Sequence, residues 1–250
     1  MNNIKVVIPA RYGSSRLEGK PLLVINGKPI FWHVYQRCLD AGIEGSNIIL
    51  ATDDIRIYHK AESLSLCVVM TKIDHDSGTD RINEVAKKLL WSPDTLVINV
   101  QGDEPLIPSA LIQQVIEFAN CNIHYPITTA VTPIVNYDEV HNPNAVKAIL
   151  GLDGRALYFT RSASPFNRDD PKDVSLCFRH IGIYTYRVSA LSEFCSYPEA
   201  PLEKYEKLEQ LRALSNGIAI GACIYSGDLP HGVDTIDDYL IIKNKMENNE

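Results

Sequence analysis

Apolar residues in the first half of the chain come in short β-branched runs. Each is followed by a stretch whose apolar positions recur every three or four residues. Ile4 to Pro9 is the first such run, and Pro29 to Ala41 the first helix, with Ile30, Val34 and Cys38 on one face. The alternation continues with strand 47–52, helix 55–64, strand 66–71, helix 79–90, strand 95–100 and helix 109–119. Strands that are apolar almost throughout, separated by helices, predict a parallel sheet covered on both faces. Ligands of such sheets lie beyond the carboxyl ends of the strands, which points to Arg11, Asp53, Thr71 and Gln101.

Beyond residue 125 the rhythm changes to shorter strands, 127–131, 145–150, 156–160 and 180–186, set between turn-rich pieces. Ser164 to Asp173 is polar, carries two prolines and reads as a mobile loop. A helix is expected from Pro201 to Ser215, with Pro201 at its first position and Gly217 as its stop. On it Leu202, Tyr205, Leu208, Leu211 and Leu214 recur at near-helical spacing and read as core. Ile218 to Tyr225 is a strand, and Thr235 to Met246 a closing helix in which Thr235 and Asp238 are spaced as a capping box.

The bulk numbers narrow the function classes. The chain has 250 residues, 45% hydrophobic, and a formal charge of −7 without a long basic stretch. Nonspecific nucleic-acid or membrane-surface binding needs a positive footprint that is missing here. No apolar run approaches a membrane span and the N-terminus has no signal-peptide pattern, so a cytoplasmic protein is expected. The six cysteines have no paired C-x-x-C spacing, and Cys67 and Cys223 lie in apparent strands, which reads as buried reduced thiols.

Against that acidic background the loop from Ala10 to Pro21 stands out, with Arg11, Arg16 and Lys20 and a single acid, Glu18. Gly13 and Gly19 let backbone amides approach a ligand, and the cations can neutralise phosphate oxygens. It is not a Walker A loop, since five residues separate the glycines and Pro21 replaces the hydroxyl residue. Gln101-Gly-Asp-Glu-Pro105 ends a buried strand, so Asp103 is either a magnesium ligand or part of a polar turn. Asp234, just before the last helix, is a second carboxylate of the same kind or a helix-start residue. Asp76 to Arg81 can hold a base or ribose, with Arg81 on a phosphate, or simply cap a helix. Arg179 and His180 at a strand start are suited to gripping a carboxylate, with Arg161 a second candidate. Glu209 and Gln210 either face a polyol or lie on a solvated helix face.

In order along the chain stand IPARYGSSR, GKPL, ATDD, SGTDR, NVQGDEPLI, NPNAVK, ALYFTR, RHIGIY, PLEKYEKLEQLR and GVDT. With these ten motifs the sequence resembles the 3-deoxy-manno-octulosonate cytidylyltransferase (CMP-KDO synthetase) family over nearly its whole length. The resemblance implies an α/β, Rossmann-like nucleotide-diphospho-sugar transferase fold with a mixed, mostly parallel central sheet flanked by helices. It implies a single domain over 1–250, with 1–124 mainly nucleotide-binding and 125–225 mainly sugar-acid-binding and dimerising. Residues 226–250 would then carry the metal-ligand turn and closing helix.

It further implies CMP transfer from CTP to the anomeric hydroxyl of KDO, releasing pyrophosphate, for lipopolysaccharide biosynthesis, by a magnesium-dependent homodimer. Arg11, Lys20, Asp103 and Asp234 would be catalytic, and Asp103 and Asp234 would bind Mg2+. Ala10, Arg11, Gly13, Ser14, Lys20, Ser77, Gly78, Thr79 and Arg81 would hold the nucleotide. Gln101, Arg161, Arg179, His180, Tyr184, Glu209 and Gln210 would surround the sugar acid. Three positions depart from the family pattern: Glu18 stands for a usual proline, Ser164 for an apolar residue and Ile236 for a proline, and the 164–173 segment is short. An 8-amino-KDO or another sugar acid is the near alternative, and a non-catalytic sugar-nucleotide sensor the distant one.

Overall fold

Ile4–Ala10 forms strand β1, and its Val6, Val7 and Ile8 are wholly buried. The computed structural model describes residues 4–13, 17–75 and 77–248. A hairpin the periodicity did not reveal follows, β2 (Val24–Ile25) and β3 (Lys28–Pro29). Asn26 and Gly27 turn it at φ 47 and 73, the Asn-Gly pair that two-residue hairpins favour. Then come helix α1 (Ile30–Asp40), β4 (Ile48–Thr52), α2 (Ile55–Ser63), β5 (Cys67–Met70), α3 (Gly78–Lys88), β6 (Leu96–Asn99) and α4 (Ser109–Cys121). Asp54 and Ser77 accept hydrogen bonds from backbone amides at the starts of α2 and α3, as N-cap residues do.

The second half runs β7 (Ile127–Pro133), α5 (Tyr137–His141), β8 (Lys147–Leu150), β9 (Ala156–Thr160), β10 (Phe178–Arg187), α6 (Val188–Phe194), α7 (Pro201–Glu206), α8 (Gln210–Ser215), β11 (Ile220–Ile224) and α9 (Ile236–Glu247). The chain divides into two units, Met1–Gln113 with Asp228–Glu250, and Gln114–Gly227. In the first unit the strands lie in the order β6-β1-β4-β5, all parallel. The helix α9 returns to this unit. Its Ile242 packs with Ile25, Ile30 and Val233, and the Thr235–Asp238 capping box starts it as expected.

In the second unit β11 runs parallel to β7, while β10 pairs antiparallel with β7 and β8, and β8 with β9. The mixed α/β class expected of the sequence is the one observed. Register shifts in β10 between Ile181 and Tyr184, a bulge containing Gly182. Thr129 staples it by donating to the Ile183 carbonyl at 2.7 Å.

Two expectations are corrected. The helix foreseen over 201–215 is broken into α7 and α8 at Lys207, which adopts the left-handed conformation at φ 54, ψ 47. The break turns Leu202 and Tyr205 to the surface, Tyr205 90% exposed, while Leu208 and Leu211 stay buried. It also lets Glu203 of α7 and Arg212 of α8 pair at 2.6 Å. Cys67 is exposed rather than buried, because it opens β5, the edge strand; Cys223 is buried as expected and none of the six cysteines forms a disulfide. Helix α6 was missed because it follows β10 with no Gly or Pro between them. Residues 164–173 carry neither helix nor strand. Among the described residues no helix is long and apolar enough to cross a membrane.

Candidate active site

The basic loop leaves β1 after buried Ala10, with Arg11 and Gly13 exposed at the carboxyl end of the sheet. It closes where the Gly19 amide donates to the Tyr12 carbonyl at 2.9 Å. Gly19 sits at φ +68, and a Cβ there would lie 3.1 Å from the Tyr12 ring, so both conformation and space call for glycine. The Arg56 guanidinium covers Tyr12 at 3.3 Å from the ring centroid, and Glu18 is exposed in the same loop. Ser14 and Arg16 lie outside the described residues.

Gly19 opens a single helical turn, Lys20–Leu22, that carries Lys20 inward until it is buried. Its ammonium donates to Asp103 Oδ2 at 2.6 Å and to the Val233 carbonyl at 2.7 Å, and reaches Asp234 Oδ1 at 3.5 Å. Two close approaches make this convergence. Gly102 lets the turn after β6 cross β1, since a Cβ there would stand 2.5 Å from the Pro9 carbonyl oxygen. Gly232 lies against the Asp103 backbone, and the next amide, Val233, donates to the Asp103 carbonyl at 2.8 Å. Wholly buried Val233 thus anchors Asp234 beside Asp103.

Glu104 joins the cluster, and sequence reasoning missed it. Burial first, then the charges of Asp103 and Asp234, push its carboxyl up to about 7 against the opposing pull of Lys20. Asp103 at 2.6 Å and Asp234 at 3.5 Å set two carboxylates against one ammonium. Among the described residues no three His, Cys, Asp or Glu side chains converge on one metal position. Asp103 and Asp234 supply two carboxylates, the number magnesium uses when phosphates complete its shell.

The turn before α3 is a cap in this state: Ser77 Oγ accepts from the Asp80 amide at 3.1 Å and Thr79 is buried. Gly78 keeps ordinary packing distance from Pro9. Arg81 departs from its expected role on a phosphate. It is 0% exposed, donates to Asp53 Oδ2 at 2.7 Å and to the Thr71 hydroxyl, and so serves as the partner of the half-buried Asp53 carboxylate. A guanidinium sealed in the core must be paired there, which removes it from the surface where a phosphate would bind.

In the second unit Tyr184, Glu209 and Gln210 line one pocket of about 30 Å³ with Tyr186, Phe194 and Ile127. The Tyr184 hydroxyl is buried there, and burial pushes its pKa well up, so it is a neutral phenol. The bulge in β10 brings His180 to 5.2 Å from Tyr184, centroid to centroid, with Phe159 on its other side at 5.1 Å. His180 is half-buried by surface, yet its imidazole is so enclosed that burial pushes its pKa down to about 3. It is a neutral hydrogen-bonding group, held 3.0 Å from the Thr129 hydroxyl.

Arg179 and His180 therefore do not act as a cationic pair: adjacent residues of a strand point to opposite faces, and Arg179 pairs with Glu139 at 2.9 Å. Arg161 likewise turns from the pocket, its guanidinium donating to the carbonyls of Glu206, Pro143 and Lys207. Gln101 follows β6 in the first unit, half-buried, its carbonyl accepting from the Glu104 amide at 3.3 Å.

A buried lysine and paired carboxylates at the carboxyl ends of a parallel sheet place the chain among α/β transferases. A cytidylyltransferase family model matches residues 5–220. The 3-deoxy-manno-octulosonate cytidylyltransferase of Cellvibrio japonicus is 45% identical over 97% of each chain. That of Alcanivorax borkumensis is 47% identical over 93% of this chain and 94% of its own. A solved structure of CMP:2-keto-3-deoxy-manno-octonic acid synthetase complexed with CTP superposes with TM-score 0.91 at 37% identity, covering 100% of both chains. A cytidylyltransferase from Leptospira borgpetersenii, 17% identical with TM-score 0.64, shares the fold. The chain belongs to the cytidylyltransferase family, in its 3-deoxy-manno-octulosonate branch.

Proposed function

We propose that the protein transfers CMP from CTP to the anomeric hydroxyl of KDO and releases pyrophosphate, as a cytoplasmic homodimer that uses magnesium. The observation that carries this reading is the meeting of Lys20, Asp103 and Asp234 within 3.5 Å of one ammonium nitrogen, in a chain 45% identical to an enzyme of that name. The sugar hydroxyl attacks the α-phosphorus, its proton is lost to solvent, and the bond to the pyrophosphate oxygen breaks. Arg11 and Lys20 neutralise charge growing on the departing pyrophosphate, the electrostatic term that dominates such transfers. The donor set of Asp103 and Asp234 fits magnesium, which when bound would offset repulsion between the two anionic substrates and lower the pKa of the attacking hydroxyl.

In the second unit Tyr184, Glu209 and Gln210 offer hydroxyl, carboxylate and amide groups to a polyol, and neutral His180 adds a hydrogen-bonding ring. Leu152, Phe166 and Leu176 are exposed apolar side chains of the same unit, of the kind that a second copy would cover. The test is pyrophosphate release with each of four NTPs and a panel of sugar acids, with and without magnesium. Release with CTP and KDO alone, abolished by chelation, is the expected result. Release with 8-amino-KDO in preference to KDO would replace the acceptor, and no release with any pair would sink the enzyme reading.

A further inference from the structure

Lys147, in the NPNAVK motif, has no place in the reaction as described, yet it is 0% exposed. Its ammonium donates to the Arg161 carbonyl at 2.7 Å and the Asn142 carbonyl at 2.9 Å. Burial pushes its pKa down, against the pull of the nearby Glu206. Arg161, above it at the end of β9, gives one guanidinium nitrogen each to the carbonyls of Glu206 at 2.7 Å, Pro143 at 2.8 Å and Lys207 at 3.4 Å. Glu206 answers with its carboxylate, accepting from the Thr160 hydroxyl at 2.7 Å and the Arg161 amide at 3.0 Å. Three separate pieces of chain, the 142–143 turn, the end of β9 and the end of α7, are thereby tied to one buried cation, one half-buried cation and one anion.

What this network holds is the left-handed residue Lys207. A lysine at φ 54 has a Cβ that opposes that conformation by about 1 kcal/mol, and it persists because its neighbours' carbonyls are fixed. Two residues later the chain presents Glu209 and Gln210 to the pocket of Tyr184. A straight continuation of α7 would carry both side chains elsewhere, since each added helical residue rotates the chain by about 100°.

We infer that Lys147, Arg161 and Glu206 are positioning residues for the acceptor: a clamp on backbone carbonyls that sets the break at Lys207 and aims Glu209 and Gln210 at the sugar acid. This rests on the reading of the Tyr184 pocket as the acceptor site. It gives Arg161 a role through Glu209 and Gln210 rather than through contact with the sugar carboxylate.

Steady-state pyrophosphate release, with KM measured separately for KDO and CTP, tests it on Glu206→Gln, Arg161→Lys, their double variant and Glu209→Gln. The clamp requires Glu206→Gln to raise the KM for KDO about tenfold, the order expected when a substrate-positioning group shifts by a fraction of an ångström, with the KM for CTP unchanged. The double variant should cost less than the sum of the singles, because both break one network. A raised KDO KM in Arg161→Lys with a wild-type value in Glu206→Gln would make Arg161 a direct ligand and overturn the clamp. A wild-type KDO KM in Glu209→Gln would instead remove the pocket reading, and the inference with it. If Glu206→Gln does not fold, Thr160→Val, which deletes only the hydroxyl that donates to Glu206, carries the same test.

Discussion

Lys20 Nζ lies 2.6 Å from Asp103 Oδ2, so a cation from the basic loop and an acid from the turn after β6 share one hydrogen bond. The pair is only partly open, with Asp103 33% exposed at its side chain, and the Val233 carbonyl fixes the ammonium from a third side. Lys20→Met should therefore lower kcat by about a hundredfold or more. Asp103→Asn and Asp234→Asn should abolish turnover while circular dichroism stays that of the wild type. Near wild-type pyrophosphate release in either acid variant at ordinary magnesium would remove that residue from the metal site.

Gly102→Ala examines how Asp103 is placed. The added Cβ meets the Pro9 carbonyl oxygen at 2.5 Å, a contact backbone atoms cannot accommodate without shifting. A loss of about 1–3 kcal/mol, read by urea unfolding, should accompany a larger fractional loss of activity. Full activity in the variant would mean that the turn after β6 does not set the catalytic geometry.

The reassignment of Arg81 has a stability signature. Asp53→Ala leaves the guanidinium buried without its carboxylate, and should cost about 3–5 kcal/mol. The KM for CTP in the surviving folded fraction should stay near the wild-type value, because the Arg81 side chain is wholly buried and that of Asp53 is only 10% exposed. A large rise in that KM with little change in stability would restore Arg81 to the nucleotide.

His180 makes stability depend on pH. Its folded pKa, about 3, lies below the unfolded value near 6.5, so between those values the unfolded chain binds the extra proton. Its contribution is fully present above pH 6.5 and is lost as pH falls toward 3, at about 1.4 kcal/mol per pH unit. His180→Gln should flatten the pH profile of the unfolding free energy over that window relative to wild type. Identical slopes for the two proteins would place a charged imidazole in the fold.

The parallel half of the fold was legible because its strands are apolar nearly end to end and its helices carry regular stripes. Local chemistry sufficed for the capping box of Thr235 and Asp238 and for the closing helix it starts. The break at Lys207 was not legible, since 201–215 has good helix formers throughout and no glycine or proline inside. A cation clamp closed by residues far away in sequence, together with the local Glu203–Arg212 pair, overcomes that preference. The basic loop, Asp103 and Asp234 could be read as candidates, each with a bland alternative.

Their meeting is a tertiary fact, produced by Gly102 crossing β1 and Gly232 lying on Asp103. The same holds for the residues whose roles changed. Arg81, Arg161 and Arg179 look alike in a sequence, as cations near motifs, but burial and nearby partners determine what each one binds. Sequence by itself determined the alternation of parallel strands and helices in the first half, the family and the short set of chemically able side chains. Tertiary structure decided which of those charges face a ligand and which hold the chain in place, because a buried charge must be paired and the pairing partner lies tens of residues away.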